Sequence, residues 1–173
     1  VAWTSPRTWV SGETVTSTIL NTHVRDNLNA IVSPPYAYIR ATTATSVGGS
    51  AYANISFNTE VVDTDNLYTS ASPTRLTIAT AGLYMLAGGY SLALTAGTLA
   101  TAHFSVNGGL LPHSGTSVIC GATGQNAGLS LTCFYRLSVG DYVELATYSN
   151  RTAVNTYTSN GDIAFMQIRW MGP

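Results

Sequence analysis

Residues Phe57 to Leu86 read FNTEVVDTDNLYTSASPTRLTIATAGLYML, and this stretch decides the fold class. An aromatic anchor, Phe57, precedes an Asp/Asn-rich loop, and Pro73 marks a turn. A Thr-rich alternating run, Arg75 to Thr80, reads as a strand, and Thr80-Ala-Gly82 reads as the turn that follows it. Gly82 supplies the backbone freedom for that turn, and Tyr84 restarts a period of two in Leu83-Tyr-Met-Leu86. Two extended segments joined this tightly are the unit of an antiparallel sheet.

The same texture runs outward from here to the C-terminus. From Tyr36 on, short runs rich in Thr, Val and aromatic residues are broken by Gly, Asn and Pro. Expected strands are Ala37–Ala41, Ala53–Phe57, Arg75–Thr80, Gly82–Ala93, Ala102–Val106, Ser117–Cys120, Gly128–Leu137, Tyr142–Tyr148 and Asp162–Met171. Asn107-Gly108 is a hairpin signal. Eight to ten antiparallel strands at this spacing form a sandwich or jelly roll. In Gly82–Leu94, Tyr84, Leu86, Gly88 and Tyr90 fall on one side and Leu83, Met85 and Ala87 on the other. Phe165 likewise stands opposite Ala164, Met166, Ile168 and Trp170 in the last strand. Apolar residues on both faces imply strands covered on both sides.

Phe57-Asn, the Gly82-x-Tyr84 element and the later stretch Gly140-Asp-Tyr-Val-Glu-Leu145 together resemble the C1q/TNF-like jelly roll over roughly residues 52 to 170. Leu76 and Leu86 depart from that pattern, standing where the family has Phe. The resemblance implies a homotrimer whose core strands also face a three-fold axis. Plain sandwich core is one reading of the apolar residues on these strands; the resemblance makes Tyr84, Tyr90, Phe104, Phe134 and Phe165 the expected contacts between copies.

Upstream the texture differs. Residues 1–35 form an arm and one helix, and residues 36–173 form the jelly-roll domain. The arm carries Trp3, Pro6, Trp9, Val10 and Gly12 without periodicity. Each Trp offers on the order of 200 Å² for burial, against its own domain or against another subunit. Val15–Val32 is the expected helix, capped by Thr16, with Val15 and Leu20 spaced as a hydrophobic staple. Leu20, Val24, Leu28 and Ile31 form a narrow apolar stripe, and Pro34-Pro35 ends the helix. So narrow a stripe must be covered by a sheet, a symmetry mate or a host particle.

Residues 8 to 31, TWVSGETVTSTILNTHVRDNLNAI, are similar to a segment near the start of tailed-bacteriophage structural proteins. That segment reads T-W-x-x-G-E-x-V-T-A-x-x-L-N-x-x-V-R-D-N-L; Ser17 stands where it has Ala. This resemblance implies a virion protein without enzymatic activity or cofactor. A capsid decoration or cement protein on the particle surface is the first reading. Its partners are then itself, the major capsid protein and other virion proteins, and the docking or assembly residues are Trp3, Trp9, Val10, Leu20, Val24, Arg25 and Leu28. A tail-fibre or receptor-binding head is the alternative, and a secreted C1q-like binding module stands outside any virus.

Composition narrows the classes. Only 9% of the 173 residues are charged, there is no Lys, and net charge is −1 with the Arg residues scattered. The basic footprint of a nucleic-acid binder is missing. No apolar run approaches the roughly 20 residues that span a bilayer, and the start lacks a signal-peptide pattern. Cys120 and Cys133 read as buried thiols or as a hairpin-spanning disulfide. Asp63-Thr-Asp65-Asn66 lacks the Gly and the later Glu of an EF-hand loop and reads as Asx-turn caps. His23, His103 and His113 have no metal-site spacing. Glu60 and Glu144 would act together only if folding brought both to one cleft. No metal site and no catalytic motif is expected.

Overall fold

Alternation in the longest strand fixes which side of the first sheet is the inside. The computed structural model describes residues 3–44, 46–47, 51–123, 125–151, 154–155 and 164–173. The helical segment comprises α1 (Ser17–Leu20), a π-helical turn (Asn21–Arg25) and α2 (Asp26–Val32). Thr16 caps it, its hydroxyl accepting from the Ile19 amide at 3.3 Å. The strands are β1 (Tyr36–Ala41), β2 (Ser46–Val47), β3 (Ala53–Asn54), β4 (Thr59–Asp63), β5 (Arg75–Thr77), β6 (Gly82–Leu94) and β7 (Leu99–Val106). They continue as β8 (Gly109–Leu110), β9 (Thr116–Ile119), β10 (Gln125–Leu137), β11 (Tyr142–Ser149), β12 (Val154–Asn155) and β13 (Ala164–Gly172).

Two antiparallel sheets face each other. One has the order β10-β6-β13-β1-β4. The other has β3-β11-β7-β8, with β5 against β11 and β9 against β7. β12 and β2 make a separate pair. First and last long strands lie side by side, Tyr36 opposite Arg169 and Ala41 opposite Ala164. Beyond β1 and β2, the chain crosses from one sheet to the other between β3 and β4, β4 and β5, β5 and β6, β6 and β7, β9 and β10, and β10 and β11, and β13 returns to the first sheet. This is a jelly roll, mainly β, with the arm and helix in front.

Tyr84, Leu86, Tyr90 and Leu92 of β6 turn inward with Ile39 of β1, Leu129 and Leu131 of β10, and Met166 and Ile168 of β13. They meet Phe104, Leu145, Val143, Leu76, Ile55 and Phe57 across the sandwich. Phe104 reaches so close that a Cβ on Gly88 would lie 3.3 Å from its ring. The two buried tyrosine hydroxyls of β6 are satisfied. Tyr90 donates to the Thr101 carbonyl at 2.7 Å and accepts from Thr147 Oγ1 at 2.6 Å, linking the two sheets. Tyr84 donates to the Thr80 carbonyl at 2.6 Å.

Gly82 has φ +153°, and a Cβ there would lie 2.1 Å from Trp170 Nε1, which donates to the Ala81 carbonyl at 3.0 Å. Both the dihedral and the indole require glycine at this turn.

Several expected boundaries move. Only Ala53 and Asn54 of the Ala53–Phe57 run pair in the ladder, although Ile55 and Phe57 still bury their side chains. Arg75–Thr80 pairs only to Thr77. β4 falls inside a stretch read as loop. It is an edge strand with Val61 and Val62 exposed, so it shows no alternation. The first residues expected in the last strand, Asp162 and Ile163, lie outside the described residues.

Candidate assembly surface

The arm is tied to the helix and to the end of the core. Asn27 is buried on the inner side of the helix. Its Oδ1 accepts from the Thr4 amide at 3.0 Å, and its Nδ2 donates to the Thr4 carbonyl at 2.8 Å. A side-chain amide that satisfies both backbone groups of one residue fixes the strand beside it. Trp3 then lies on Trp170, ring centroids 5.8 Å apart. Arg7 pairs with Glu13 and lies 5.0 Å over the Trp9 ring.

Beyond these contacts the segment turns its apolar side chains outward. Trp9 is 46% exposed, Leu20 46%, Val24 41% and Leu28 54%, and Val10, Ile31 and Val32 are more exposed still. Inward are Asn27 and Ala30. Arg25 pairs with its neighbour Asp26 at 2.8 Å in solvent. The expected stripe is therefore present and is not covered by the chain's own sheet. Of the seven arm and helix residues singled out in the sequence, Trp3 is packed against the core, and Trp9, Val10, Leu20, Val24, Arg25 and Leu28 are exposed.

Among the five residues expected between copies, the outcome divides by strand face. Tyr84, Tyr90 and Phe104 are buried in the sandwich, so they fill the core of one chain and offer nothing to a neighbour. The sequence shows two apolar faces on these strands but not which one is inside. Phe134 is 60% exposed on the outward face of the first sheet. Phe165 is half-buried on that face, edge-on to Tyr38 with ring centroids 6.4 Å apart. Met85, which stands opposite both Phe134 and Arg169 in the ladders, belongs to the same surface. Sequence reading did not single out Met85 as a contact; its place in the odd register of β6, beside Phe134, was the available signal. A groove of about 400 Å³ lies between helix and sheet, lined by Ala30, Ile31, Pro34, Met85, Arg169, Trp170 and Met171.

The other chemistry considered in the sequence has structural explanations. Asp63 Oδ1 accepts from the Asp65 amide at 3.1 Å and Oδ2 from the Tyr68 amide at 2.8 Å, the geometry of a turn cap. Among the described residues no group of three or more His, Cys, Asp or Glu side chains gathers. Glu60 is on β4 in the first sheet, whereas Glu144 is buried on β11 in the second and accepts from the Thr74 hydroxyl at 2.7 Å. Cys120 and Cys133 are both free thiols, and burial pushes the Cys133 thiol up. Burial also raises the Tyr84 phenol, followed by the charge of Asp65, and raises Tyr90 to about 12 against the opposing hydrogen bond from Thr147.

No family model matches the sequence, and no curated protein is similar to it. Solved structures are similar in fold. The crystal structure of murine APRIL at pH 5.0 superposes with a TM-score of 0.58 at 12% identity, covering 79% of this chain and 98% of that one. The same protein at pH 8.5 gives 0.57 with the same coverage and identity. The globular domain of zebrafish complement 1qA protein gives 0.53 at 12% identity, covering 78% of this chain and 93% of that one. The sheet topology and these likenesses establish the fold as a C1q/TNF-like jelly roll.

Proposed function

We propose that the chain is a non-catalytic structural protein of a bacteriophage virion: a homotrimer that decorates the capsid and stabilises it through contacts with the major capsid protein or other virion proteins. One observation carries this reading. The arm and helix keep Trp9, Val10, Leu20, Val24 and Leu28 exposed, outside the core of the sandwich. Exposed apolar surface of that extent marks contacts with other chains, whether copies of this one or subunits of the particle. The similarity of residues 8 to 31 to a tailed-phage segment supports a phage particle as the setting. The outward face bearing Met85, Phe134 and Phe165 supports association of copies.

Mass spectrometry of purified particles from the phage that encodes the chain is the test. The protein should remain with full heads through density-gradient banding, in copy numbers consistent with trimers. Recovery only with tails would overturn capsid decoration, and absence from the particles would overturn the virion reading. A second reading, a C1q-like binding module outside any virus, is favoured by the likeness of the sandwich to the complement domain. It predicts the absence from particles.

A further inference from the structure

The helix of this chain is inverted relative to a helix that stabilises its own domain. Its inner side offers Asn27 and Ala30, and its outer side offers Leu20, Val24, Leu28, Ile31 and Val32. We propose that this outer stripe is closed by the same stripe of other copies, so that the helices of one assembly pack on each other in a short bundle. The inference rests on the trimeric reading above and names what covers the helix.

Spacing is the first argument. Leu20, Val24, Leu28 and Ile31 follow at intervals of four, four and three through the π-helical turn, the spacing of an eleven-residue rather than a seven-residue helix seam, and all four are exposed. Charge is the second. Between Ser17 and Val32 the formal charges are Arg25 and Asp26, adjacent, opposite and at the surface. A like copy therefore meets no like-charge face, and Arg25 of one helix can reach Asp26 of the next. Continuity is the third. The groove bounded by Ile31 on one side and Met85 and Met171 on the other joins the stripe to the sheet face that carries Phe134. Area is the fourth. The five residues are 41% to 82% exposed, and together with the adjoining sheet face they contribute toward the ~800 Å² per partner of a stable interface.

The full chain carrying Leu28→Cys, mildly oxidised at a concentration where the wild type is assembled, tests the seam. Asn29→Cys, exposed one residue further on, is the control, and the wild-type chain gives the background from its own thiols. Disulfide-linked pairs from Leu28→Cys and none above background from Asn29→Cys are expected. A Leu20→Asp, Leu28→Asp double variant should keep its circular dichroism and fall from three chains of 18.2 kDa to one by light scattering, or dissociate at ten-fold higher concentration or more. A variant that stays trimeric, with no link at position 28, overturns the bundle and leaves the trimer standing. The same outcome with loss of binding to particles hands the stripe to the particle, which also overturns it. Wild type that is monomeric at every concentration overturns the trimeric reading and the bundle together.

Discussion

Strand β6 and the helical segment are both amphipathic, yet they are placed in opposite senses. In β6, Tyr84, Leu86, Tyr90 and Leu92 all point into the sandwich and are at most 4% exposed. In the helix the polar Asn27 is inside, while Leu28 beside it is 54% exposed. The difference reflects what each element is offered. A strand in this sheet meets a second sheet along its whole length, so burial of its apolar side is available within one chain. The helix meets only the end of the sandwich and a few residues of arm, and what it finds there is the backbone of Thr4. Two hydrogen bonds and the small buried methyl of Ala30 attach it. The sandwich is thus complete in one chain, and the helix is not.

The comparison can be broken most forcefully at the core. Phe104→Ala should destabilise the chain by about 3–5 kcal/mol in urea unfolding, because the ring fills the space between the sheets up to Gly88. Alkaline titration is the next test. The Tyr90 phenol is raised from 10.0 to about 12, and that of Tyr84 is raised too, so the fold favours their neutral forms. The contribution of Tyr90 is complete below pH 10 and is lost as pH rises through about 12, and that of Tyr84 is likewise lost only at high pH. Tyrosinate absorbance should therefore rise in two stages, the second coinciding with loss of near-ultraviolet circular dichroism. Simple one-stage titration would mean that the core is open to water.

Asn27→Ala sharpens the contrast at the other region. It removes both bonds to Thr4 and should cost the arm about 1–2 kcal/mol of local stability. Hydrogen exchange should show lost protection at Thr4 and none at Leu86. The smallest effect is expected from Leu28→Ala, within ~0.5 kcal/mol of wild type for the unfolding of a single chain. A large loss at dilution would show that Leu28 is already buried by its own subunit.

Much of this arrangement was legible in the sequence. Period-two runs, the Asn107-Gly108 turn, Gly82 and the stop at Pro34-Pro35 are local signals, and local chemistry decides them. The face of a strand that becomes the inside is decided by partners far along the chain. Tyr84, Tyr90 and Phe104 therefore read equally well as core or as contact, and the structure makes them core. The edge strand β4 was lost for a related reason, since Val61 and Val62 obey no alternation that burial would impose. In the helix the stripe was visible, but sequence alone could not show that the chain would leave it bare. Asn27, between Asp26 and Leu28, matches the tailed-phage segment, but nothing in its local sequence marked it as the tie between arm and helix.

The three tryptophans occupy three different optical environments. Trp170 is nearly buried, Trp3 lies tilted against it, and Trp9 is out in solvent under a guanidinium. Two indoles this close couple their transitions, so the Trp3–Trp170 pair gives a circular dichroism couplet that vanishes when the arm lifts. Trp9 fluoresces as a solvent-exposed indole until something covers it. Two spectroscopic channels in the unlabelled chain thus report separately on whether the arm is seated and whether its outer side has been taken up.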